Sequence, residues 1–198
     1  MKTQKSFGRF LTALTLSVAM LASAVSPALA ANTSNTHVHQ EKPYWCWAAC
    51  SVSMLECAGY YVIVTPGIKL PTVSQTQFSQ TLYNNTFDIP RPPADVCNGF
   101  RTKYSLPTYF QSSPMSSYNI EHYSDIDSPI FACIEWAGGG AHAVLISGYV
   151  TSGNTLRVMD PADIAFTTVP LSTFTTNYAN AYSGTSGGMW TQSFYYTV

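Results

Sequence analysis

The feature that most constrains this chain is the stretch over residues 40–59, QEKPYWCWAACSVSMLECAG. From Trp45 to Ala58 its apolar residues recur at spacings of three and four, which predicts a helix with one buried face. The glycine that follows is a typical helix terminator, and Pro43 suits the start of a helix. The sequence therefore predicts that Cys46 lies in the first helical turn.

A cysteine at this position has the surroundings of a nucleophile. Free backbone N–H groups and the positive end of the helix dipole favour the thiolate form of its sulfur. The side-chain amide of Gln40 and the backbone N–H of Cys46 could converge as donors to a developing oxyanion, each contributing about 3 kcal/mol in the transition state. The alternative is that Cys46, Cys50 and Cys57 are buried thiols or half-cystines of a core helix.

The first 30 residues have the form of a cleavable secretory signal. Three basic residues precede an apolar span over residues 10–25, and the motif ALA at residues 28–30 provides a small-residue cleavage site. We therefore expect a secreted, periplasmic or cell-surface protein that is cut near Ala30. A cut after Ala24 is the alternative.

The mature chain would then have a short N-terminal extension over residues 31–39 and one domain over residues 40–198. Losing the signal leaves six basic residues against ten acidic ones, a net charge of about −4. No basic patch for nucleic acid and no second membrane segment is expected. Charged residues make up 10% of the chain, against about 25% in ordinary domains, which favours an exported protein with a polar, weakly charged surface. We expect it to be a monomer.

Five cysteines in an exported chain predict disulfides, and the odd number leaves one free thiol. If Cys46 is the free one, Cys50 and Cys57 are too far apart to bridge each other, because seven helical residues span about 10 Å. Each would then pair with Cys97 or Cys133, and either combination satisfies this argument.

No metal or other cofactor is expected. The chain has no C-x-x-C motif, which is the usual start of a zinc site. His37 and His39 lie close together in sequence, but they belong to the short extension, which we expect to be mobile.

The second half of the chain has the pattern of an antiparallel sheet, whereas the first half has helical patterns. Helices before strands predict an α+β fold with a cleft between the two parts. A further helix is predicted near residues 75–84 and a short strand over residues 60–64. The longer strands are predicted over residues 129–136, 142–150, 154–160 and 189–198.

A histidine opens one predicted strand of this sheet, and an aspartate ends the neighbouring strand. His142 follows three glycines and opens one strand, and Asp160 ends the next one. A short turn between antiparallel strands would bring them together, so that Asp160 orients the imidazole and the other ring nitrogen faces Cys46. The alternatives are a half-buried strand histidine and a turn-forming aspartate before Pro161.

Two of these motifs resemble those of papain-like cysteine proteases. The resemblance rests on Gln40, five intervening residues and Cys46-Trp-Ala at a helix start, and on His142-Ala-Val leading to Gly-Tyr. WCWAAC, GGGAHAVLISGY and the ending at Asp160-Pro are closer to compact bacterial branches, namely avirulence-type effector proteases and bacteriocin leader-processing peptidase domains. The similarity covers about residues 40–198 in architecture.

The resemblance implies a papain-like fold, in which an N-terminal helical lobe with a central nucleophile helix packs on a C-terminal antiparallel β-sheet lobe. It implies hydrolysis of a protein or peptide substrate through a thioester acyl-enzyme. Cys46 would be the nucleophile and His142 the acid and base. Asp160 would orient His142, and Gln40 would contribute to the oxyanion hole.

The resemblance also suggests residues that contact substrate. Asn98 and Gly99 follow a cysteine in a motif that is similar to the backbone-binding strip beside the papain cleft. Gly140 and Ala141 precede the histidine, where small residues permit close approach of a ligand. The usual Asn-Ser-Trp segment is replaced by Asp160-Pro-Ala, so the walls on the substrate side cannot be inferred from the family.

Other functions are compatible with the same residues. A cell-wall peptidoglycan amidase or endopeptidase would use the same cysteine and histidine chemistry on stem peptides. A transpeptidase would pass the same acyl group to an amine. A non-catalytic secreted binding module would require Cys46 to be bridged or unreactive.

Overall fold

A computed structural model describes residues 30–65, 68–180 and 185–197. The signal predicted for residues 1–30 lies outside these ranges, apart from the backbone of Ala30. Within the described ranges, no helix is long and apolar enough to cross a membrane.

The described chain alternates short helices with strands, and its elements are numbered here in chain order. The helices are α1 (Cys46–Cys57), α2 (Gln75–Tyr83), α3 (Pro93–Tyr104), α4 (Ser117–Asp125) and α5 (Leu171–Thr176). The strands are β1 (Ala30–Asn32), β2 (Tyr61–Thr65), β3 (Ile68–Pro71), β4 (Thr108–Gln111), β5 (Ile130–Trp136), β6 (Ala141–Val150), β7 (Thr155–Met159), β8 (Thr167–Pro170) and β9 (Gly188–Tyr196).

Seven of these strands form one antiparallel sheet in the order β4-β9-β5-β6-β7-β8, with β1 added beside β6. Strand β5 pairs with the first part of β6, and β1 pairs with its last part, Gly148 to Val150. Strands β2 and β3 form a separate hairpin. The predicted α+β class, with helices first and an antiparallel sheet second, is confirmed.

Both faces of the sheet are covered, because apolar side chains alternate along the central strands. Phe131, Leu145 and Phe194 belong to the core that contains α1, α2 and α3. Ile130 and Ile146 belong to a second core on the opposite face, with side chains of α4 and α5. The α1 side of the sheet carries the candidate site.

Helix α1 is buried on all sides rather than on one face. Every residue from Trp47 to Glu56 is buried, including polar residues that form hydrogen bonds. The Ser53 hydroxyl donates to the Thr36 carbonyl at 2.7 Å, and the Glu56 carboxylate accepts the Thr36 N–H at 2.8 Å. These hydrogen bonds allow a helix that contains serine and glutamate to be buried at the centre of the domain.

In contrast to the mobile extension expected from the sequence, residues 33–40 pack against the domain as an N-terminal strap. The ring of His37 donates to the Asp160 carbonyl at 3.0 Å, and the ring of His39 donates to the Asp163 carbonyl at 3.1 Å. The N–H of Gln40 donates to the Pro161 carbonyl at 2.9 Å. The strap therefore supports the turn that follows β7.

The predicted disulfides are not formed, because all five cysteines are free thiols. Cys133 lines a cavity beside Cys46 at the start of α1. Cys57 ends the same helix, where its sulfur lies 3.9 Å from the Ser34 hydroxyl, and 11 helical steps separate the two ends by about 16 Å. Neither of the two predicted pairings, including that of Cys57 with Cys133, is present.

Gly148 is required where β1 meets β6. A Cβ atom there would lie 2.7 Å from the Ala31 carbonyl oxygen and would also collide with the Asn32 side chain.

We expect Gly148→Ala to lower the free energy of unfolding by about 1–3 kcal/mol, measured by urea denaturation. Gly138→Ala is the matched control, because a Cβ atom there meets nothing within 4 Å. Equal stability of the two variants would contradict this packing.

Candidate active site

Two tryptophans fix the start of helix α1. The indole N–H of Trp45 donates to the Phe87 carbonyl at 2.9 Å, and that of Trp47 donates to the Ile89 carbonyl at 3.1 Å. Both rings are buried. Cys46 lies between them as the first residue of α1, where its backbone N–H has no partner within the helix.

The histidine and the aspartate meet as the strand order predicted. His142 is the second residue of strand β6. Strand β7 pairs with β6 and ends at Met159, and Asp160 follows it directly. The Nε2 atom of His142 lies 2.7 Å from Oδ1 of Asp160. Asp160 is fully buried, so this carboxylate is shielded from solvent.

Asp160 accepts four hydrogen bonds. Its Oδ1 accepts from the His142 ring and from the Ala162 N–H at 2.9 Å, and its Oδ2 accepts from the Tyr178 hydroxyl at 2.7 Å and from the Asn180 amide at 2.6 Å. Burial alone would raise the pKa of Asp160, but the bond and charge of His142 and the other donors outweigh burial and lower it. The group is therefore a carboxylate.

His142 is held as a cation. Burial lowers the pKa of His142, but hydrogen bonds to Asp160 and Cys46 together with their charges raise it to about 10. Because Nε2 faces Asp160, Nδ1 is the ring nitrogen left for the Cys46 sulfur. The ring of Trp136 stacks on the imidazole at 6.2 Å between centroids and fixes its plane.

Gln40 lies at the site, but its amide is engaged elsewhere. It lines the same cavity as Cys46 and His142. Its Nε2 atom donates to the carbonyls of Lys42 at 3.1 Å and Pro43 at 2.9 Å. In this arrangement the amide stabilises the turn before α1, and its oxygen is buried without a hydrogen-bond partner.

Two cavities flank the pair formed by Cys46 and His142. The larger one, of about 400 Å³, is called the apolar cavity, and the second one, of about 270 Å³, is called the polar cavity. The apolar cavity is also lined by Trp47, Pro90, Arg91, Pro92, Pro93, Phe131, Cys133, Glu135, Ala141, Ala143 and Gln192. The polar cavity is also lined by Gln40, Pro43, Tyr44, Pro90, Trp136, Ala141, Ala162, Asn180 and Thr185.

The four suggested substrate contacts fall in different places. Ala141 lines both cavities, and Gly140 precedes it with a positive φ of 84°. Asn98 and Gly99 lie within α3 and line another depression, in which Gly99 faces Leu82. The Cys-Asn-Gly resemblance does not place them beside the nucleophile, because here the motif is part of a helix.

Tyr178 and Asn180 complete the site, although no pattern in the sequence predicted their contacts with Asp160. Both follow α5 and reach Asp160 because Tyr178 bridges Gly188 through two backbone hydrogen bonds of 2.8 and 3.0 Å. Their local sequence, NYAN, belongs to no motif that indicates such a role. Among the described residues, no cluster of histidine, cysteine and carboxylate side chains could hold a metal ion.

A family model, the Peptidase_C39 like family, matches residues 32–187. The chain belongs to this family. The fold is similar to that of a protein from Bacillus anthracis whose crystal structure is described as that of a C39-like peptidase. The two share 12% sequence identity with a TM-score of 0.53, over 86% of this chain and 98% of the other. No curated protein matches the sequence.

Membership of the Peptidase_C39 like family makes the chain a cysteine-type peptidase, and the papain-like resemblance stated from its motifs is confirmed. The family match starts at residue 32 and therefore includes the N-terminal strap, whereas the domain predicted from the sequence begins at residue 40. The strap contacts the backbone carbonyls of Asp160 and Asp163.

We expect Asp160→Asn to move the alkaline limb of the kcat/KM profile to lower pH and to lower kcat about tenfold. The folded state holds the pKa of His142 above its ordinary value partly through the charge and hydrogen bond of Asp160. Losing the carboxylate therefore lets His142 lose its proton at lower pH. Steady-state kinetics across pH measures this shift.

The matched control is Asp163→Asn, three residues further along the same turn. The carbonyl of Asp163 contacts His39, and the His142 ring lies on Asp160 instead. The alkaline limb should stay in place in this variant. If the alkaline limb shifted in Asp163→Asn but not in Asp160→Asn, the orienting role would belong to Asp163 and the assignment to Asp160 would be wrong.

Proposed function

We propose that this protein is a secreted papain-like peptidase that hydrolyses peptide bonds through a Cys46 acyl-enzyme. The observation that carries the proposal is the His142 ring, which hydrogen-bonds Asp160 through Nε2 at 2.7 Å and lines the same two cavities as Cys46. This arrangement supplies a nucleophile, an acid and base, and an orienting carboxylate in one cleft.

Acylation begins when the Cys46 thiolate attacks the carbonyl carbon of the scissile peptide bond. The carbonyl oxygen becomes an oxyanion, and the backbone N–H of Cys46 donates to it. The C–N bond then breaks as the His142 imidazolium transfers its Nδ1 proton to the leaving amine. The products of this step are a thioester on Cys46, a free amine and a neutral imidazole.

Deacylation reverses the role of the imidazole. Neutral His142 takes a proton from a water molecule, whose oxygen attacks the thioester carbonyl. The C–S bond breaks and releases a carboxylic acid product, and the thiolate and imidazolium are restored. Asp160 keeps its charge throughout and stabilises the imidazolium.

Gln40 is proposed as a second oxyanion donor. In the substrate-free arrangement both of its N–H groups point at the carbonyls of Lys42 and Pro43. One of them would have to turn toward the cavity when the oxyanion forms. Its place on the wall of the polar cavity beside Cys46 and His142 supports this role.

Secretion is proposed from the signal-like residues 1–30, with a monomeric mature protein acting on proteins or peptides. Nucleic acids and membranes are not among the proposed partners. A cut near Ala30 would keep Ala31 and Asn32, which pair with Tyr149 and Gly148 of β6. The mature N-terminus would then remain part of the sheet.

We expect Cys46→Ala and His142→Ala each to abolish hydrolysis of casein and peptides while keeping the wild-type circular dichroism spectrum. Each variant loses a group that forms or breaks covalent bonds in the proposed reaction. Cys57→Ser is the matched control, because it replaces a thiol at the opposite end of α1 and should keep activity. An epoxide inhibitor should label Cys46, as located by mass spectrometry.

Substantial hydrolysis by either active-site variant would end this assignment. Cleavage of purified cell wall, with casein left intact, would keep the Cys46 chemistry and make stem peptides the substrate. Acyl transfer to an added amine in preference to water would indicate a transpeptidase.

A further inference from the structure

The apolar cavity changes character along one strand. Phe131, Cys133 and Glu135 alternate along β5 and all line it. Phe131 is 1% exposed, Cys133 is 5% exposed, and Glu135 is exposed. The strand therefore presents an aromatic floor, a buried thiol and a carboxylate at the mouth.

Small residues keep this cavity open. In the register of β5 and β6, Glu135 is opposite Ala141 and Cys133 is opposite Ala143. Two alanines beside an aromatic floor leave the space that forms the cavity. Prolines 90, 92 and 93 complete its lining, so most of the wall is apolar and suits a hydrocarbon chain.

Apart from Cys46 and His142, Glu135 is the residue of this cavity whose charge is available to a ligand. Arg91 also belongs to the lining. Its guanidinium, however, stacks 3.8 Å from the Tyr83 ring centroid and donates to the Asn85 side-chain oxygen at 3.2 Å. Burial raises the pKa of Cys133 to about 12, so its thiol is neutral.

The Glu135 carboxylate is accessible to a ligand. Its Oε1 accepts one long hydrogen bond of 3.4 Å, from the Gln192 amide. Its side chain is exposed at the mouth of a cavity that also contains Cys46 and His142. A residue of a bound peptide close to the scissile bond could therefore reach it.

We propose that the apolar cavity selects peptides with an arginine or lysine near the scissile bond, and that Glu135 determines this specificity. The aliphatic stem of such a side chain packs against Phe131 and the prolines, while its cationic end pairs with the Glu135 carboxylate. This inference rests on the proposed peptidase function and names the substrate class for it.

The test compares peptide pairs that contain arginine or citrulline at each position flanking the scissile bond. Citrulline has nearly the same shape as arginine but no charge. At the best position, we expect wild-type kcat/KM to favour arginine roughly tenfold, and this preference to shrink at high ionic strength. In Glu135→Gln the ratio should fall to about one, as expected when the charge partner is lost.

Two further variants separate a charge effect from damage to the fold. Glu135→Lys should reverse the preference, so that a glutamate peptide is cleaved faster than its glutamine counterpart. Glu121→Gln removes the same charge from α4, which packs on the opposite face of the sheet, and should keep the wild-type arginine preference. An unchanged preference in Glu135→Gln, or none in the wild type, would overturn the proposal.

A binding measurement separates this inference from the proposed function. Calorimetry with Cys46→Ala protein compares the affinities of the same peptides without turnover. If the wild type hydrolyses none of them but Cys46→Ala binds the arginine peptide more tightly in a Glu135-dependent way, the cavity assignment stands and the peptidase mechanism fails. Equal affinities for arginine and citrulline would overturn the cavity assignment itself.

Discussion

The buried carboxylate of Asp160 is the group on which the site depends. A charge removed from water is costly unless hydrogen bonds replace its hydration. Here the four donors come from His142, Ala162, Tyr178 and Asn180. They bring together the start of β6, the turn after β7 and the segment after α5. The same bonds that keep the carboxylate charged also hold the imidazole in position.

Cys46, the proposed nucleophile, is positioned by a mostly apolar arrangement. Helix α1 is surrounded by the sheet, by other helices and by the N-terminal strap, and the two indole hydrogen bonds fix its first turn. The strap contacts both α1, through Thr36, and the Asp160 turn, through His37. It therefore ties together the two halves of the fold that carry the cysteine and the carboxylate.

The elements that could be predicted from the sequence are those defined by local pattern and chain order. Strand periodicity and one short turn were enough to bring His142 next to Asp160. Tyr178 was not predictable, because it reaches the carboxylate through a bridge to a distant glycine. Asn98 lies in α3 and lines a separate depression, because a three-residue motif does not specify whether it forms an extended strip or a helix. Glu135 lines a cavity together with Pro90, Pro92 and Pro93, which are distant in sequence and which no local pattern connects to it.

The most direct test of this account is the protonation state of His142. Nitrogen NMR of the ring, recorded across pH, reports when the imidazolium loses its proton. The account predicts that the ring stays protonated through neutral pH and titrates with a pKa of about 10, because Asp160 and Cys46 stabilise its charge. Titration at the ordinary histidine pKa of about 6.5 would contradict the coupling of the three residues.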